Sequence, residues 1–138
     1  MVAATTNRNT PVRGGHHRGH PVAAGVHCHA GTVAVMNASG FAEPATTATG
    51  LVALGAFTFE LDNTAGGDGE RLAEIERGCF RLANDESDPI AQTQIGSPCY
   101  LVDDQTVAAT DGSGTRSAAG FVDGVDDLGV WVRLDPTV

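Results

Sequence analysis

Lysine is absent from this chain of 138 residues; all eight basic residues are arginine. A Walker-type phosphate loop needs a lysine against the phosphates, and a Schiff-base enzyme needs a lysine amine, so both chemistries are excluded. Aromatics are scarce, at 5%, with one Trp and one Tyr. Ala and Val fill the apolar share of 41%, beside 18 Gly. Small side chains and frequent glycine suit short strands and tight turns better than long helices. No apolar run approaches the roughly 18 residues of a membrane span. The N-terminus also lacks the apolar stretch, about 7–15 residues long, of a secretory leader. The expectation is a protein made in the cytosol, without a membrane partner, that stays soluble or joins an assembly. Cysteine is limited to Cys28, Cys79 and Cys99, an odd number without CxxC spacing. That suits buried free thiols in a reducing compartment, and spacing alone leaves one disulfide open.

Acidic residues are missing from the first 42 positions. That part holds Arg8, Arg13 and Arg18 and is therefore +3. Five Arg and all seventeen acids follow, making the rest −12 and the whole −9. The acidic part repels nucleic acid, which is not expected as a partner, while the N-terminal part suits an acidic surface.

The length is that of one domain, large enough to bury a core. Residues 1–25 (MVAATTNRNTPVRGGHHRGHPVAAG) are rich in Thr, Asn, Gly, Pro and His and have no apolar periodicity. Such a segment does not offset its ordering entropy by burial, so it is expected to be a flexible arm, mobile or ordered by a partner. Residues 26–138 are expected to form a β-rich domain. Residues 32–36 (TVAVM) read as a strand. Residues 50–61 (GLVALGAFTFEL) give the strongest strand pattern, with Phe57, Phe59 and Leu61 on one face and Gly55 marking a bulge or close backbone approach. Residues 62–69 (DNTAGGDG) are a loop by composition. In 71–83, Leu72, Ile75, Cys79 and Leu82 recur at near-helical spacing, but flanking glycines favour two strand pieces around Gly78. Asp88, Pro89 and Gly96 punctuate a short helical turn, with Asp88 as its cap. Residues 99–103 and 106–110 form a hairpin around Asp104 and Gln105, 111–114 (DGSG) turn the chain, and 117–122 and 129–134 close it. In 129–134 (GVWVRL), Val130, Val132 and Leu134 share one face. The expected fold is all-β, a small sandwich or barrel of about eight short strands with one helical turn and an extended N-terminal arm.

Among groups able to do chemistry, His16, His17, His20, His27 and His29 cluster in sequence. A strand puts His27 and His29 on one face, yet sends Cys28 to the other, and HHRGH is too glycine-laced to be preorganised. No metal is expected; a His-cluster metal-binding protein is an alternative. The acidic loop from Asp62 fails the EF-hand pattern, since its third and fifth positions are Thr64 and Gly66. Asp103–Asp104 and Asp126–Asp127 are adjacent pairs whose side chains diverge on a strand, so turn and edge roles are expected of them. Gly112-Ser113-Gly114 is too short for a nucleophile elbow, and Cys28 beside His27 or His29 cannot readily align thiol and imidazole. No catalytic residue, cofactor or small-molecule substrate is expected.

The residues from about Gly50 onward resemble the small capsid decoration (cement) proteins of tailed phages and prophages. The stretches that carry the resemblance are GLVALGAF (50–57), RGCFRL (77–82), IGSPCYLVDDQTVAATD (95–111) and GVWVRL (129–134). It covers about two-thirds of the chain and excludes the arm. The resemblance implies a β-rich, commonly trimeric subunit on the virion's capsid exterior, with the major capsid protein as partner and no catalytic residues. Arg8, Arg13, His16, His17, Arg18 and His20 of the arm are the expected capsid-binding residues, through main-chain pairing and arginine–carboxylate contacts. A virion fibre or receptor-binding module is the other alternative.

Overall fold

A computed structural model describes residues 2–11 and 13–138. The protein is all-β, with twelve strands among the described residues and a single 3-10 turn at Gln92–Gln94. In chain order the strands are β1 (His17–Pro21), β2 (His27–Cys28), β3 (Val33–Met36), β4 (Ala42–Pro44), β5 (Val52–Phe57), β6 (Leu61–Asp62), β7 (Leu72–Glu76), β8 (Gly78–Asn84), β9 (Pro98–Leu101), β10 (Thr106–Ala108), β11 (Ala118–Asp126) and β12 (Gly129–Leu134).

Three sheets result: a five-stranded sheet in the order β1-β7-β5-β3-β4, a closed barrel β10-β8-β12-β11-β9, and the two-stranded β2-β6. A short parallel pairing of β10 with β8 closes the barrel. Its interior holds Leu82, Leu101, Val107, Val122, Val130, Val132 and Leu134, and the core extends to Val33, Val35 and Ala53 of the five-stranded sheet. The opposite face of that sheet gives Ala34, Leu54, Phe57 and Ile75 to a second core with Val22, Cys28 and Leu61. The sheet is thus a middle layer, covered on both sides. This explains why β5 reads as a nearly continuous apolar run: both of its faces are buried.

The near-helical spacing in 71–83 comes from two strands that join out of phase at Arg77. β7 places Ala73 and Ile75 in the second core, while β8 enters the barrel with Leu82 inward and Leu72 is left exposed. Gly55 marks the expected close approach. Its φ is 149°, the β3–β5 register shifts beside it, and a Cβ there would collide with the carbonyl oxygen of Glu76.

Three expectations are corrected. First, the arm does not extend to residue 25. β1 pairs antiparallel with β7 from His17↔Glu76 to Pro21↔Leu72, and Val22 and Ala23 are buried. HRGHP carries no apolar alternation because an edge strand is held by its backbone, so the folded body begins near His16. Second, β5 ends at Phe57. Thr58 N and Oγ1 both donate to Glu74 O, the chain turns, and Phe59 points out while Phe57 and Leu61 point in. Third, Asp88 caps no helix. The 3-10 turn starts from Ala91, whose N–H donates to Gln94 Oε1. Asp88 accepts from the Thr110 hydroxyl at 2.6 Å and the Arg116 guanidinium at 2.9 Å, tying the 85–91 segment to the strand end after β10.

Candidate functional site

The N-terminal segment and the edge it feeds form the first candidate. Arg8, Arg13 and His16 lie in exposed chain. His17, Arg18 and His20 lie instead on β1, whose outer edge pairs with no strand among the described residues. His17 Nε2 faces Glu76 Oε2 at 4.0 Å. Arg18 folds back on the chain leading into β1, donating to the carbonyl of His17 at 2.8 Å and, at longer range, to those of Gly14 and Gly15. It therefore steadies the exit of the arm. Burial, then the nearby Arg77, Arg13 and Arg18, holds the His20 pKa below its ordinary value, so this ring is biased neutral. Across the β1–β7 pair lies a shallow groove lined by polar and apolar residues, among them His17, Arg18, Glu74, Phe59 and Leu72, the last two exposed. An open strand edge, with its unpaired backbone N–H and C=O groups, is the physical requirement for adding a partner strand.

The second candidate is His27, His29 and Glu60, whose ligand atoms lie within 4.8 Å of one another. Their grouping follows from the β2-β6 ladder, where His27↔Asp62 and Cys28↔Leu61 pair. Cys28 and Leu61 point into the second core, so His27 and His29 emerge together on the outside, as their two-residue spacing predicts. The rings stand 4.5 Å apart, tilted by 30°. Glu60 Oε2 lies 3.3 Å from His27 Nε2 and 3.4 Å from His29 Nδ1. Glu60, over thirty positions downstream, was not a sequence candidate; recognising that β6 pairs with β2 would have placed it. His16, His17 and His20 do not join this group.

The acidic loop from Asp62 is a structural clamp. Asp62 accepts from Thr64 N and Oγ1, and those bonds, the hydroxyl's first, hold its carboxyl below the ordinary 3.8. Buried Asn63 donates from Nδ2 to Ala23 O at 2.8 Å, and Asp68 Oδ1 accepts from Ala24 N at 2.7 Å. The loop thus holds down the chain that follows β1. Asp126 accepts from the N–H groups of Leu128 and Gly129 and from Trp131 Nε1, with Arg81 over the indole at 5.7 Å. These are the turn and edge roles expected of such acids. All three cysteines are free thiols. Cys28 and Cys99 are buried and Cys79 is half-buried. No helix among the described residues is long and apolar enough to cross a membrane.

Comparison with family models, with curated proteins and with solved structures gives no match to this chain.

Proposed function

We propose that this chain is a structural protein of a tailed-phage particle, a decoration protein that binds the outer face of the capsid and stabilises the assembled shell. The observation that carries the reading is the exposed, Arg- and His-bearing N-terminal segment running directly into the open edge of β1. Its own body offers that segment little to bind. Among the described residues, 2–11 are all exposed, and hydrogen bonding to the body begins only at His16 O, which accepts from Arg77 N.

In this reading a strand of the major capsid protein adds to β1, with Phe59 and Leu72 beside it, and Arg8 and Arg13 meet capsid carboxylates. The arm exits through the carbonyls gathered by Arg18, so Arg18 positions it. A homotrimer raises avidity by presenting three arms at once. A protein that binds only the assembled shell shifts the equilibrium toward that shell by mass action and performs no chemical step.

Cryo-electron microscopy of particles carrying the protein tests this. The expected result is density on the capsid exterior at threefold or local threefold positions. Density inside the shell, or only at the tail, contradicts the proposal.

A further inference from the structure

We propose that His27, His29 and Glu60 form a binding site for one divalent transition-metal ion of the zinc class. Two imidazole nitrogens and one carboxylate oxygen form a common three-ligand set for Zn²⁺, which binds nitrogen and oxygen at about 2.0–2.2 Å. At such bond lengths, neighbouring corners of a tetrahedron lie about 3.3 Å apart. The structure places Glu60 Oε2 at 3.3 Å from His27 Nε2 and at 3.4 Å from His29 Nδ1. The carboxylate oxygen thus sits at a tetrahedral-edge distance from both nitrogens.

The backbone holds these groups in place. His27 lies in the β2-β6 ladder and His29 and Glu60 flank it at one end, next to the buried side chains of Cys28 and Leu61. The carbonyl of His29 accepts from Thr32 Oγ1 at 2.7 Å and from Thr32 N at 3.3 Å, and Gly31 N donates to Phe57 O at 2.8 Å. The turn after His29 is thereby tied to β5. A site on braced strands loses less entropy on binding than one on a loose loop.

All three side chains are substantially exposed, at 39%, 58% and 64%. The ion therefore exchanges with solvent, and the remaining tetrahedral corner is open to water. Three exposed ligands give an affinity well below that of closed four-ligand sites. Cu²⁺ and Ni²⁺, which imidazole also suits, compete for the same position. The site is independent of the capsid reading, and its test stands whether or not that reading holds.

The experiment is isothermal titration of the full chain with ZnCl₂ at neutral pH, together with ¹⁵N imidazole spectra. The wild-type protein should bind one equivalent, with ring shifts confined to His27 and His29. His29→Ala and Glu60→Gln should each weaken binding at least tenfold while keeping the metal-free melting temperature. The triple variant His16→Ala, His17→Ala, His20→Ala should bind as the wild type does. The absence of saturable binding in the wild type would overturn the proposal. So would unchanged affinity in both single variants, or loss of binding in the triple variant alone.

Discussion

Residues 2–15 and residues 16–25 differ sharply in what they contribute, and two truncations separate them. Deleting 2–15 removes chain whose described residues are all exposed and leaves β1 and its pairing with β7 intact. The expected change in unfolding free energy is within about 0.5 kcal/mol, as for other surface changes. Deleting 2–25 removes all of β1 and the buried Val22 and Ala23. It also removes the bonds Val22 N→Arg71 O, Ala23 N→Ala42 O and Gly25 N→Asn63 O. Asn63, 2% exposed, loses Ala23 O as its acceptor, and the second core opens beside Cys28 and Ala42. Val22→Ala scales the effect. Two methyl groups leave a fully buried position, and at about 0.8 kcal/mol each, plus a cavity term, the loss is about 2 kcal/mol. For a chain of this length that lowers the melting temperature by roughly 8 °C. The larger deletion should cost more, which is severe against a total of about 5–15 kcal/mol. Urea titration and calorimetry of the wild type, the two truncations and Val22→Ala read these values. A 2–25 deletion as stable as the wild type would refute the placement of β1 and Val22 in the body.

Two further predictions concern titrating groups. Hydrogen bonds hold the carboxyls of Asp62, Asp88, Asp126 and Asp135 below 3.8, with the Thr64, Thr110 and Thr137 hydroxyls and the Leu128 N–H as the leading donors. Because the folded-state values are depressed, their stabilisation is full above the unfolded value and is lost as pH falls through the folded ones. Urea midpoints should therefore fall below about pH 4, and Asp88→Asn should flatten that fall; a midpoint independent of pH in this range would contradict the assignment. Burial pushes the Cys28 thiol up to about 11 and the Cys99 thiol up to about 12. A thiol reagent at pH 8 should therefore reach Cys79 first in the native protein and all three after denaturation; fast native labelling of Cys28 or Cys99 would contradict their burial.

The sequence made most of the barrel legible because strands with one buried face alternate. In β12, Val130, Val132 and Leu134 are inward and Trp131 and Arg133 outward, as the pattern predicts. The hairpin of β9 and β10 was legible from its turn residues. β1 was not legible: an edge strand is fixed by main-chain bonds, and HRGHP has no apolar face to reveal it. The short β2, β4 and β6 are below the length at which alternation can be read. β2 and β6 cover the second face of the middle sheet, and β4 extends that sheet beyond β3. The histidine pair was legible as a pair, since spacing of two on a strand dictates a common face. Its carboxylate was not, because long-range pairing of two-residue strands leaves no local trace. Of the expected arm contacts, Arg8, Arg13 and His16 remain in exposed chain, whereas the Arg18 guanidinium donates to the carbonyl of His17.

Capsid binding by the N-terminal segment is the central claim, and it is tested most directly on particles stripped of the protein. Full-length protein and the 2–15 deletion are added back at low and moderate salt, bound protein is quantified, and the temperature at which packaged DNA is lost is recorded. Full-length protein should raise that temperature. The deletion should bind more weakly, with its disadvantage shrinking as salt screens the contacts of Arg8 and Arg13. Equal binding of the two proteins at both salt concentrations would contradict the role of the arm, and an unchanged DNA-loss temperature with bound full-length protein would contradict capsid stabilisation itself.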